Sequence, residues 1–133
     1  MEKQTINPWS WQDGFGYSQG VLVTNATATL YAAGQGSVDA DGNPVHPGDM
    51  AAQAAQTMDN VETVLEAAGM TLADVVSYDV HTTDLQTYFE QGHEQVAKRF
   101  AQVGPFPAGG IATQVSALAL PPMLVEITVT ACR

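Results

Sequence analysis

From Asp49 onward the apolar residues Ala51, Ala54, Met58, Val61, Leu65 and Ala68 recur at steps of three and four, which predicts a long amphipathic helix. Asp49 stands where an N-cap carboxylate accepts the first free backbone N–H groups, Pro47 and Gly48 keep the chain out of the helix before it, and Gly69 supplies the stop. Beyond it the period shortens to two. Val75 to Thr83 alternates, with Val76, Tyr78 and Val80 on one face and Ser77, Asp79 and His81 on the other, as a half-buried strand does. Asp84 then caps a second helical stripe of Leu85, Tyr88, Phe89, Val96 and Phe100, which Gly104-Pro105 ends. Gly92, near the middle of that stripe, costs about 1 kcal/mol of helix propensity relative to alanine, and close packing is the favoured reason for it.

Strand patterns flank the helices. Tyr17 to Val23 and Ala28 to Ala33, joined by the polar turn Thr24-Asn25-Ala26-Thr27, predict an antiparallel hairpin. Gly34 to Gly48 reads as a loop with a turn at Asp41-Gly42. The last two strands are expected at Ile111 to Leu118 and Leu124 to Ala131, separated by Pro121-Pro122, which cannot both sit in a hydrogen-bonded ladder. In the final strand Val125, Ile127 and Val129 face one way, and Leu124, Glu126, Thr128 and Thr130 the other. This order predicts an α+β fold, a mixed β-sheet with two helices on one face. The other face carries Ser77, Asp79, His81 and Glu126 between apolar strands, so a second copy covering it, a homo-oligomer, is expected.

Composition narrows the function classes. A chain of 133 residues, 45% apolar and 14% charged, supports one core, and residues 1–133 are expected to form a single domain. The net charge is −10, and the four basic residues, Lys3, Lys98, Arg99 and Arg133, form no patch able to neutralise a phosphate backbone, which argues against nucleic acid. Cys132 stands alone, without metal-ligand spacing, and reads as a small apolar residue ending a strand. No leader pattern and no apolar run of bilayer length is present, so no membrane association and a cytoplasmic setting are expected.

A set of short segments in fixed order resembles the RidA/YjgF family over nearly the whole chain. Its carriers are Asn7-Pro8-Trp9, Gly16-Tyr17-Ser18-Gln19-Gly20, Ala33-Gly34-Gln35 with Asp41-Gly42, and the helix segment Gln53 to Gly69 with Asp59-Asn60-Val61 inside it. They continue through Asp74-Val75-Val76 and Thr82-Thr83-Asp84-Leu85 to Leu124-Val125-Glu126-Ile127 and Ala131. The resemblance implies a chorismate-mutase-like fold and a homotrimer with a central barrel and three clefts, each built from two chains. It also implies hydrolysis of reactive imines and enamines to a carbonyl compound and ammonia, with no metal or organic cofactor.

Such chemistry asks for a cation to hold a substrate carboxylate, a group to polarise the imine nitrogen and a carboxylate to orient water. By resemblance Glu126 takes the acidic position of the last strand and Tyr17 the aromatic hydroxyl of the cleft. The arginine of the deaminases falls on Gly109, or on Gly110 if one residue is inserted before Ile111. A small hydroxyl position falls on Ala33. Losing the guanidinium is expected to leave a small void in the pocket floor and to disfavour carboxylate substrates. His93 is the candidate proton-transfer group, with His81 as a lesser pocket candidate, and His46 is expected to be solvated. Gln114 or Thr113, but not both, is expected to face the cleft. Trp9 and Trp11 are expected to anchor the N-terminal segment on the sheet edge. The activity implied is hydrolase or deaminase-like, or a related water addition or tautomerisation, on a small-molecule ligand not held by a carboxylate–arginine pair. The alternative is a non-catalytic metabolite-binding trimer.

Overall fold

The long helix forms as α1, Met50–Ala67, and its inward stripe of Ala54, Met58, Val61 and Leu65 is completely buried. A computed structural model describes residues 1–133 of the chain. Asp49 caps α1 by accepting from the Ala52 backbone N–H at 3.0 Å, and Gly69 leaves it with φ +68°, a conformation that favours glycine.

The helix lies on a five-stranded sheet made of β3 (Thr29–Tyr31), β4 (Gln35–Gly36), β5 (Val75–Thr82), β6 (Ala108–Gln114) and β7 (Val125–Cys132). The order is β3-β7-β5-β6, and β4 also pairs with β7. β5 runs antiparallel to β7 and parallel to β6, so the sheet is mixed, as expected. Tyr78, Val80 and Thr82 of β5 stand opposite Val129, Ile127 and Val125 of β7, and this set meets the helices. Ser77, Asp79 and His81, opposite Thr130, Thr128 and Glu126, make the other face. Val76 is the extra residue of a bulge between Val75 and Ser77, so Val75 rather than Val76 joins Tyr78 in the core.

The second helical stripe is interrupted. α2 (Leu85–Thr87) gives way to a π-helical turn over Tyr88–Gly92 and resumes as α3 (His93–Ala101). Gly92 owes its identity to packing: a Cβ there would stand 2.8 Å from the Tyr88 ring and 3.3 Å from Met50. Tyr88 can therefore sink between the π turn and α1, leaving 1% of its surface exposed.

The expected hairpin between Tyr17–Val23 and Ala28–Ala33 does not form. Instead β2 (Gly20–Thr24) pairs antiparallel with an N-terminal strand, β1 (Glu2–Ile6), while β3 adds to β7. The polar turn fits either arrangement; what decides is that Ala28 and Arg133 exchange backbone hydrogen bonds of 2.9 and 3.0 Å that zip β3 onto the free edge of β7. β1 alternates exposed and half-buried residues, but the half-buried ones are Lys3 and Thr5. β6 begins earlier than expected because Ser18 bridges Ala108 and exchanges hydrogen bonds with Pro107 and Gly109 of 2.9 and 3.1 Å, and it ends at Gln114. Buried Gln53 holds the segment between β6 and β7, donating to the Pro122 carbonyl at 2.8 Å and accepting from the Leu124 N–H at 2.7 Å.

Candidate functional site

A groove of about 790 Å³ opens between the second helical layer and β6, the edge strand. The helical side supplies Tyr88, Phe89 and His93, whose rings meet edge-on or tilted at 5.5 to 6.1 Å. Tyr78 and Val80 form the floor, and β6 contributes Gly109, Gly110, Ile111 and Ala112. The N-terminal segment closes the mouth with Trp11, Phe15, Tyr17 and Gln19. Trp11, Phe15, Phe89 and Ile111 each leave more than half of their surface exposed, an apolar rim that a lone soluble chain rarely displays unless something binds there.

Both glycines of β6 have a local cause. Between the pairs Tyr78–Gly109 and Val80–Ala112, two β6 residues face one β5 residue, a bulge of one extra residue. The Asp79 carboxylate caps it, accepting from the Ile111 N–H at 2.7 Å, and occupies the place where a Gly110 side chain would begin. At Gly109 a Cβ would lie 2.7 Å from Cγ and Cδ2 of Tyr17. Tyr17 thus lies over Gly109, which corrects the expected void: the space beside position 109 is filled by a phenol ring.

The groove is uncharged in its lining. No Lys, Arg, Asp or Glu contributes to it. Arg99 pairs with Asp59 and Glu62 at 2.7 and 2.5 Å, Arg133 donates to the Gly69 carbonyl at 2.7 Å, Lys3 donates to the Ala73 carbonyl, and Lys98 lies exposed on α3. What the groove holds is phenols and one imidazole. Burial pushes the Tyr78 hydroxyl up to about 12, and the Tyr17 phenol adds to the rise. Tyr88 is raised further, by burial first and then by Tyr78. Both stay protonated near neutral pH. The Tyr88 hydroxyl and the Gln19 Nε2 are buried without a hydrogen-bond partner in the chain. His93 Nε2 lies 2.9 Å from the Phe15 carbonyl; since that oxygen only accepts, Nε2 carries a proton and Nδ1 is the free nitrogen.

The sequence candidates fall in two places. Tyr17, His93, Gly109 and Gly110 meet at the groove. Glu126 and His81 are cross-strand partners on the opposite face of the sheet, where Thr113 stands opposite His81 as well. The Glu126 side chain lies over Gly34, one residue past exposed Ala33, in space that a Cβ at Gly34 would need. Gln114 lies at neither place: its Oε1 accepts from the Leu85 N–H at 3.0 Å, tying β6 to the start of α2. His46 is exposed in the loop before α1. Trp9 and Trp11 do not anchor on a sheet edge; they stack on each other at 6.5 Å, both well exposed, with Trp11 on the groove. Tyr78 and Tyr88 were legible only as core residues. The usable signal was chemical, since a phenol at a core position needs a partner for its hydroxyl.

Residues 14–133 match the family described as endoribonuclease L-PSP. A RutC family protein of Saccharolobus solfataricus is 36% identical over 115 residues, covering 86% of this chain and 85% of that protein. The 2-iminobutanoate/2-iminopropanoate deaminase of Escherichia coli is 40% identical over 72 residues, 54% of this chain and 53% of the enzyme. The crystal structure of YyfB from Yersinia pestis, a Rid-family protein of unknown function, superposes with a TM-score of 0.85 at 32% identity over the whole of both chains.

Proposed function

The chain belongs to the RidA/YjgF/L-PSP family, and from that premise we propose that it is a cofactor-independent imine or enamine hydrolase whose substrate is held by apolar and aromatic contacts instead of a carboxylate–arginine pair. One observation carries this reading: the groove has no cationic side chain, and all four basic residues of the chain lie elsewhere. In this reading the arginine position of the deaminases falls on Gly109, and Tyr17 takes its space. A carboxylate substrate would then forfeit a charge-assisted pair, worth about 1.5–3 kcal/mol.

Hydrolysis needs a water delivered to the C=N carbon and a proton passed to the departing nitrogen. In this reading His93 Nδ1, the nitrogen left without a proton, takes one from the attacking water and hands it to the departing nitrogen. Glu126, which would orient the water, sits on the opposite face of its own sheet, so we place it in a neighbouring copy and read the active form as a homotrimer whose clefts are shared between chains. That separation also favours a second reading, a metabolite-binding trimer without turnover.

The test uses two imines made in situ. Iminopropanoate from an amino-acid oxidase, trapped with semicarbazide, should give the same product yield with or without the protein. The aromatic imine released from benzylamine by a flavin amine oxidase, followed by its absorbance, should decay faster with the protein, and Glu126→Gln should abolish the gain. No acceleration of either imine would leave the binding reading; acceleration indifferent to Glu126→Gln would remove Glu126 from the chemistry.

A further inference from the structure

The groove carries hydrogen-bonding groups that find no partner within the chain. The Tyr88 hydroxyl, on a residue with 1% of its surface exposed, and the Gln19 amide nitrogen are both buried and unpartnered, and both residues line it. Tyr78 and Tyr17 bring two more phenols to the same wall. His93 adds an imidazole whose Nε2 is spent on the Phe15 carbonyl, leaving Nδ1 as its free nitrogen. Around the polar pole the walls are Trp11, Phe15, Phe89 and Ile111, flat or aliphatic surface without charge.

Buried polar groups left without partners cost free energy, and a site that keeps them is complementary to whatever completes them. We propose that the hydroxyls of Tyr78 and Tyr88, with Tyr17 and Gln19 beside them, are the recognition pole for the carbonyl oxygen of an uncharged, planar aromatic molecule lying between the aromatic walls. Raised phenol pKa values favour the same role, since the hydroxyls remain neutral donors. A carboxylate is disfavoured for want of a cation, and a purely hydrocarbon ligand would leave the donors unmet. The inference builds on the proposed function in taking the groove as the substrate site, and it names the class of compound that enters.

The experiment titrates the intact protein with 1-indanone and with indane, which has the same shape without the oxygen. Trp9→Phe leaves Trp11, on the groove, as the single tryptophan reporter. We expect 1-indanone to bind saturably and indane to bind at least about tenfold more weakly. Tyr88→Phe and Tyr78→Phe should each weaken 1-indanone by about three- to tenfold, the range of one hydrogen bond, and leave indane unchanged. Unliganded Tyr88→Phe should melt no lower than the parent protein, since it deletes an unpartnered hydroxyl. If a tyrosine variant fails to fold, Gln19→Leu at the groove mouth serves the same comparison. Equal binding of the two probes, equal loss of both in the variants, or no binding of 1-indanone would each overturn the inference. Benzylamine-derived imine hydrolysis without 1-indanone binding would overturn it and leave the hydrolase reading intact; binding without hydrolysis would do the reverse.

Discussion

Gly109 and Gly110 illustrate how a residue's meaning depends on what leans against it. As symbols in the chain they read as an arginine lost; in three dimensions each is a place where another side chain comes to rest, Tyr17 on one and the Asp79 carboxylate on the other. An arginine introduced at 109 would therefore have no room for its side chain while Tyr17 stays. We expect Gly109→Ala alone to destabilise by about 1–3 kcal/mol in urea unfolding, the usual cost of overpacking. Combined with Tyr17→Ala, which removes the ring but keeps the Tyr17 Cβ at 2.9 Å, part of that penalty should be relieved, giving a coupling of at least about 1 kcal/mol. Additive losses would mean that the ring is not what excludes a side chain. The glycines and Tyr17 were legible in the sequence as site candidates, but their contact was not, because it joins positions over 90 residues apart and depends on the bridge from Ser18 to Ala108.

At the scale of elements, the helices and central strands could be read directly because their apolar periods were long. Ala54, Met58, Val61 and Leu65 needed only one face to hide, and Val125, Ile127 and Val129 needed only alternation. Strand partners were harder. The segment Gly20–Thr24 has no pattern that prefers β3 over β1, and β1 hides lysine and threonine instead of aliphatic residues. The π turn escaped for another reason: the extra residue leaves the apolar stripe intact and only alters its phase. Its glycine gives a sharp test. On an ordinary helix Gly92→Ala would stabilise by about 1 kcal/mol. Here a Cβ would press on Tyr88 at 2.8 Å, so we expect net destabilisation of about 1–2 kcal/mol and a loosened groove wall. Stabilisation would show that the Tyr88 ring has room to retreat.

For the whole molecule, the two groups of candidates on opposite sides of one sheet set the terms. Glu126 with His81 lies across the sheet from Tyr17 and His93 within one copy, and neither lines the groove. If the proposed shared cleft is right, sedimentation at micromolar concentration gives about three times the 14.0 kDa chain mass. A mass near one chain would remove Glu126 from the groove altogether. The sequence made the polar face visible, through Ser77, Asp79, His81 and Glu126, but not its distance from the groove, since strand alternation tells which residues share a face and not which cavity that face borders.

The strap from His93 to Phe15 has a consequence in proton accounting. Nε2 is the nitrogen that donates to the Phe15 carbonyl, so the bond that pins the groove mouth to α3 uses none of the capacity of Nδ1. One ring therefore serves two duties without conflict, since the nitrogen that holds the mouth to α3 is not the nitrogen left free to take up a proton.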